Sequence, residues 1–284
     1  MEQYRICAFS DEAGQDLDVQ IRALTRNRLE GMEIRFADGV NIYDMDKEQV
    51  KSIRRRLDDA GLKVRSIGSP VGKINIETGD WAAHQERFKL LMEYSDILGA
   101  EDIRIFSFFI PQGKPAAPYK EEVIERLGIL LSLAEGHPAR LCHENEKDIY
   151  GDTAERCRDI LDALPALGAI FDPANFVQCG VDTLAAWEML KDRITYMHIK
   201  DAVEDGSVVP PGKGIGHLPE IVGDYTARGG RIFTLEPHLT VFDGLSAIEQ
   251  ASPSDKIGKK YVYNTSDEAF DAAAAALRSI LETV

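Results

Sequence analysis

Short apolar runs alternate along the whole chain with longer stretches in which apolar positions recur every three to four residues. The runs predict strands at 4–9, 31–36, 63–67, 102–106, 140–143, 168–171, 194–199 and 231–235. The stretches between them predict amphipathic helices, among them LDVQIRALTRNRL, KEQVKSIRRRLDDAG, HQERFKLLMEYSDILGA, KEEVIERLGILLSLAEG and TAERCRDILDALPAL, with DEAFDAAAAALRSILETV closing the chain. Strands that alternate with helices pair in parallel through right-handed crossovers, and eight such units fit a closed (β/α)8 TIM barrel better than an open sheet. No Gly/Ser-rich linker divides the sequence, so a single domain over 1–284 is expected. Two loops are long for such a fold, 110–120 and 237–266, and the second is expected to fold over one end of the barrel.

Composition narrows the function without naming it. A hydrophobic content of 44% in 284 residues supports a sizeable core. The net charge of −15 argues against a broad grip on a polyanion, which needs clustered Lys and Arg. Cys7, Cys142, Cys157 and Cys179 show neither disulfide nor zinc-knuckle spacing and read as free packing thiols. The opening MEQYRICAFSDEAG lacks the basic and apolar regions of a secretion signal, and the apolar runs are too short to span a bilayer, so a cytoplasmic location is expected.

Barrel enzymes place their chemistry at the C-terminal ends of the strands. Those ends carry Asp11 and Glu12 after the first strand, Arg35 after the second, Arg104 within the fourth, Glu144 and Glu146 after the fifth, Asp172 after the sixth, His198 at the seventh and Glu236 after the eighth. Carboxylates and an imidazole from four successive strands offer a mixed oxygen and nitrogen shell without thiolates. Such a shell suits one divalent ion of the Mn²⁺, Mg²⁺, Co²⁺ or Zn²⁺ type.

The strings LCHENEKDIYGDT, IFDPANF, YMHIKD and FTLEPH, in that order, resemble the xylose-isomerase-like barrel superfamily of sugar phosphate isomerases and epimerases. FSDEAG, IRFADG, SPVGK and IRIFSFF add to the resemblance, which spans nearly the whole chain. It implies metal ligands at Glu144, Asp172, His198 and Glu236, with Glu146 as the runner-up at the fifth strand. Because Glu144 and Glu236 come from the fifth and eighth strands, on different sides of such an ion, they are also expected to act as the acid/base pair on opposite faces of the substrate. Many superfamily members have a His where this chain has Asn175. That difference, with the acidic charge, argues against an endonuclease IV-like DNA-repair role.

The expected activity is therefore a metal-dependent isomerase or epimerase of a sugar or sugar phosphate, working by proton transfer through a metal-bound cis-enediolate. The alternatives are a metal-dependent dehydratase of an inositol-derived or keto-sugar substrate and a non-catalytic sugar-binding barrel. Arg35, Lys73, Arg104, Asn175, Lys200 and His238 are the expected substrate contacts. Asp201 is expected to orient His198 or Lys200. His143, next to Glu144, is expected to point the other way and pack behind the barrel wall. PPGKGIGH, 210–217, is a glycine-containing loop before a helix, readable either as a phosphate cradle or as a plain turn. The expected partner is a small carbohydrate, with no nucleic acid and no membrane, and with homo-oligomers left open.

Overall fold

Eight parallel strands hydrogen-bond side by side in chain order, and the eighth returns to the first. They are β1 (Arg5–Ala8), β2 (Gly31–Ile34), β3 (Lys63–Ile67), β4 (Asp102–Ile105), β5 (Arg140–Glu144), β6 (Gly168–Phe171), β7 (Ile194–Ile199) and β8 (Ile232–Leu235). Closure runs through Arg5 opposite Ile232 to Ala8 opposite Leu235, so no sheet edge is left open. This is the closed TIM barrel that the alternating pattern predicted. The computed structural model describes residues 4–241, 257 and 260–284.

Around the barrel lie α1 (Leu17–Arg26), α2 (Lys47–Asp59), α3 (Trp81–Leu98), α4 (Lys120–Leu133), α5 (Ala154–Ala163), α6 (Pro173–Gln178), α7 (Thr183–Leu190), α8 (Leu218–Ala227) and α9 (Ser266–Leu281). Acidic and hydroxyl side chains start many of them. Asp46 forms a capping box with Gln49 at α2, and Asp80, Thr153, Asp182 and Thr265 accept a first-turn N–H at α3, α5, α7 and α9. Part of the large acid content therefore serves helix starts. The apolar faces of the helices and the outward face of the strands form one continuous core that includes Leu24, Val50, Phe88, Ile103, Leu127, Trp187 and Phe270. Among the described residues no helix is long and apolar enough to cross a membrane.

Several boundaries move. The fifth strand runs one residue further than 140–143 and ends on Glu144 itself. The link from β6 to β7 holds two helices, α6 and α7. Two small antiparallel ribbons decorate the C-terminal rim, Phe36–Ala37 with Val40–Asn41 and Asp201–Ala202 with Val208–Val209. Of the loop expected over the mouth, 242–256 and 258–259 lie outside the described residues, while Ile257 bridges to Val208 beside β7.

Candidate functional site

The ends of β5 to β8 bring together Glu144, Asp172, His198 and Glu236, all buried, with one ligand atom of each within 4.8 Å of the others. Strand alternation aims Glu144 inward on the same face as Cys142, leaving His143 on the other side. There the His143 ring packs against Gly151, where an added Cβ would lie 2.5 Å from its Cε1. Asp172 serves twice: as N-cap of α6 its Oδ1 accepts the Asn175 N–H at 3.0 Å, and its Oδ2 lies 3.0 Å from Lys200 Nζ. Glu236 follows β8 by one residue, held because its N–H donates to Ile199 O at 3.1 Å, one step beyond the regular ladder. Asn145 ties the ends of β5 and β6 together, accepting the Asp172 N–H and donating to the Asp172 carbonyl, both at 2.9 Å.

His198 is the hub of the cluster. Its Nδ1 is 2.9 Å from Glu144 Oε1 and 3.5 Å from Glu236 Oε2. Its Nε2 is 3.2 Å from Glu33 Oε2, deeper in the barrel, which also receives the Thr234 hydroxyl at 2.9 Å. The Phe9 ring meets His198 edge-on at 5.2 Å and carries the Arg35 and Arg104 guanidinium groups at 4.4 and 4.9 Å. Gly68 makes room for that ring, since a Cβ there would sit 2.5 Å from Phe9 Cε1.

Both arginines turn inward. Arg35 binds Asp11 at 3.0 Å, Glu12 at 3.2 Å and Glu236 at 3.2 Å; Arg104 binds Glu144 at 3.0 Å. Lys200 lies 3.4 Å from Glu236 as well as against Asp172. His238, in a left-handed backbone conformation, places Nε2 3.2 Å from Glu12 and 3.3 Å from Glu236. Asn175 donates to the Asn145 carbonyl at 3.0 Å and to Glu144 at 3.4 Å, while its buried Oδ1 has no hydrogen-bond partner. Lys73 stands apart from this cluster and pairs with Glu146 at 2.9 Å over the Phe106 ring. Glu146 thus serves that pair and is absent from the group of possible metal ligands around Glu144.

Charge shows why this cluster suits a cation. Six buried carboxylates, Asp11, Glu12, Glu33, Glu144, Asp172 and Glu236, face three permanent buried cations, Arg35, Arg104 and Lys200. Burial, with Glu236 and Glu144 adding to it against Lys200, pushes Asp172 up to about 7. Burial likewise brings Glu12 to about 7, against the pull of His238 and Arg35. Glu236 is held well below the usual carboxylate range, because Lys200, His238 and His198 together outweigh its burial. At His198 burial disfavours the cation, but Glu144 and Glu33 overrule it and hold the imidazole well above its ordinary value. Asp172 Oδ2 faces Lys200 as an ion pair without hydrogen-bond geometry, leaving a buried lone pair unsatisfied. A divalent ion held by oxygen and imidazole would answer both the surplus charge and that lone pair, so the side chains fit one.

Asp201 departs from expectation. It contacts neither His198 nor Lys200 and instead accepts four backbone N–H groups, three of them from the 210–217 loop. Glu33 and Phe9 had not been singled out in the sequence. Glu33 was legible in principle, because it precedes Arg35 by two residues and so shares its face of the strand. Phe9 carried no polar signal.

A closed parallel barrel with a buried carboxylate–imidazole cluster at its C-terminal mouth defines the structural class. Within it, this chain belongs to the xylose isomerase-like TIM barrel family, whose model matches residues 22–252. It is similar to the 2-oxo-tetronate isomerase of Haemophilus influenzae, 30% identical over 95 residues, a stretch covering 30% of this chain and 34% of that protein. The match thus spans about a third of that curated relative. Among solved structures, a D-tagatose 3-epimerase-like protein superposes with a TM-score of 0.75 at 14% identity, covering 99% of this chain and 98% of the other. The IOLI protein with a bound zinc atom gives 0.73 at 17% identity over 98% of each chain.

Proposed function

We propose that the protein is a divalent-metal-dependent isomerase or epimerase of a small sugar. The observation that carries this reading is the convergence of Glu144, Asp172, His198 and Glu236, ligand atoms within 4.8 Å, from four consecutive strand ends. These four side chains would hold the ion, which when bound supplies Lewis-acid polarisation of a substrate carbonyl and so acidifies the adjacent C–H. The relative named a 2-oxo-tetronate isomerase and the epimerase-like neighbour support the same class of chemistry.

Glu144 and Glu236 are the acid/base pair. They come from β5 and from the end of β8, on opposite sides of β6 and β7 in the barrel wall. Glu236 is kept ionised by Lys200, His238 and His198 in spite of burial, which leaves it open to accept a proton. Arg104 on Glu144 and Arg35 on Glu236 fix the direction of each carboxylate, which favours a defined trajectory for the proton. Substrate hydroxyls meet the open acceptor Asn175 Oδ1 and the donors of His238, Lys200 and the two arginines, with Lys73 further out on the rim. Proton return to the same carbon from the opposite side inverts it; return to the neighbouring carbon moves the carbonyl.

The test is hydrogen exchange. Protein loaded with Mn²⁺ is incubated in D₂O with a panel of ketoses and 2-oxo sugar acids, and label is located by NMR. Metal-dependent deuterium next to the carbonyl is expected. A dehydrated product would replace this reading with a lyase, and sugar binding without exchange would replace it with a binding protein.

A further inference from the structure

Beneath Glu144, Asp172, His198 and Glu236 the barrel interior holds a further carboxylate that is no member of their group. Glu33 stands on β2, buried, and reaches across the barrel to β7 and β8, neither of which pairs with β2. Its Oε1 accepts the Tyr196 hydroxyl of β7 at 3.1 Å. Its Oε2 accepts the Thr234 hydroxyl of β8 at 2.9 Å and lies 3.2 Å from His198 Nε2. Tyr196 gives its one hydroxyl hydrogen to Glu33, so the Ser66 hydroxyl of β3, 3.1 Å away, is the donor to Tyr196. One carboxylate thereby links β2, β3, β7 and β8. Burying a charge merely to join strands is unfavourable where an apolar side chain would fill the same space.

What Glu33 does is divide the two nitrogens of His198. Nδ1 faces Glu144 Oε1 at 2.9 Å and Glu236 Oε2 at 3.5 Å, the side on which the candidate ligand atoms gather. Nε2, turned away from that group, faces Glu33. An acceptor-only carboxylate at Nε2 keeps the ring hydrogen there and leaves the Nδ1 lone pair for a metal ion, while making the imidazole a stronger donor. The ring plane is held too, by the edge of Phe9 at 5.2 Å and by Tyr196 at 5.6 Å.

We propose that Glu33 is a positioning residue for the metal centre, fixing His198 as an Nδ1 ligand with its hydrogen on Nε2, and that Tyr196 and Thr234 hold Glu33 in turn. The inference rests on the metal-binding part of the proposed function and not on the reaction class.

The experiment reads metal and not turnover. Mn²⁺ and Zn²⁺ affinities of the full chain are determined by competition with a chromophoric chelator, and folded protein is counted by circular dichroism. Glu33→Gln is expected to weaken binding by about 10–100-fold. Tyr196→Phe and Thr234→Val leave the contact between Glu33 and His198 in place and should weaken it by less than about tenfold. Wild-type affinity in folded Glu33→Gln overturns the inference; a lowered melting temperature with that affinity intact marks Glu33 as a packing residue. A second measurement uses zinc-loaded wild type labelled with ¹⁵N-histidine and long-range ¹H–¹⁵N NMR. The His198 hydrogen is expected on Nε2. A hydrogen on Nδ1 overturns the inference, even should Glu33→Gln not fold. If wild type takes up neither ion, the metal reading itself fails and this inference with it; if wild type and Glu33→Gln bind equally, the inference alone fails.

Discussion

The two ends of the barrel handle charge in opposite ways. At the N-terminal end Arg5, Arg65 and Arg140 meet Glu30, Glu101 and Asp102, and the contacts close on themselves: Arg65 to Asp102 at 2.7 Å, Arg140 to Asp102 at 3.0 Å, Arg5 to Glu101 at 2.7 Å and to Glu30 at 3.1 Å. Around the mouth cluster the buried Asp11, Glu12, Glu33, Glu144, Asp172 and Glu236 outnumber the fixed cations Arg35, Arg104 and Lys200. The balanced network neutralises its own charge and ties strand starts together, although Arg65 Nε and Nη1 and Asp102 Oδ2 keep no hydrogen-bond partner. An unbalanced one is unfavourable unless something else enters, which marks the mouth as a place for chemistry.

The comparison breaks most sharply at Glu236. Glu236→Gln keeps the volume and removes one surplus charge, so proton exchange into substrate should fall by about 10²–10⁴-fold. Metal-free stability should fall, because the variant removes a carboxylate charge that Arg35, Lys200, His238 and His198 hold ionised in the fold. Exchange kinetics beside urea unfolding of the metal-free protein checks both; a large loss of stability with activity intact would mean that the mouth is structural. At the other end only stability is expected to respond. Asp102→Ala leaves Arg65 and Arg140 without their shared buried partner and should cost about 3–5 kcal/mol in urea unfolding, with kcat per folded molecule unchanged.

Acid acts in opposite senses on buried imidazoles and on the carboxylates of the mouth. His143 and His84 are buried neutral, pushed down by burial to about 3 and about 4. His84 Nε2 accepts the Gly72 N–H at 2.7 Å, a bond the protonated ring cannot keep. Their folded values lie below the ordinary value, so the unfolded chain takes up protons first. The stability they contribute is complete above about pH 6.5 and is lost as pH falls towards their folded values, each at up to about 1.4 kcal/mol per pH unit. Glu12 and Asp172 work the other way: their folded values near 7 exceed the unfolded ones, so the folded metal-free mouth gains protons and stability as pH falls from about 7 towards the ordinary carboxylate range. His143→Leu should therefore flatten the acid limb of a stability–pH curve. Metal content of the wild type should drop over the window in which the mouth takes up protons.

Much of this contrast is written in the sequence, though unevenly. The eight strands were legible because each is a short apolar run between helices of clear periodicity, and the four clustered side chains because each ends its strand. The end of β5 was misjudged by one residue: Glu144, read as the first loop residue, still makes strand pairing opposite Ile170. Asp201 was misread because adjacency to Lys200 suggested a side-chain partner. Three of its four real partners are backbone amides eleven to fifteen residues away, which leave no trace in residue type beyond the glycines. Glu33 and Phe9 lie below the strand ends, where an inward carboxylate looks like any other alternation and an aromatic looks like core.

Two helix starts give the finest version of the comparison, because one cap has a single duty and the other has two. Thr153 caps α5 through its hydroxyl, which accepts the Arg156 N–H at 3.4 Å. Asp172 caps α6 with Oδ1 and leaves Oδ2 to the candidate cation. Thr153→Ala should lower stability by about 1 kcal/mol, the usual worth of such a cap, with bound metal unchanged. Asp172→Asn keeps a capping oxygen, since Asn caps as well as Asp, but removes the charge and an oxygen ligand. It should melt within a few degrees of wild type and lose bound metal, read by elemental analysis after dialysis. If Asp172→Asn retains its metal, Asp172 is only a helix cap, and the mouth's surplus charge must be answered by other residues.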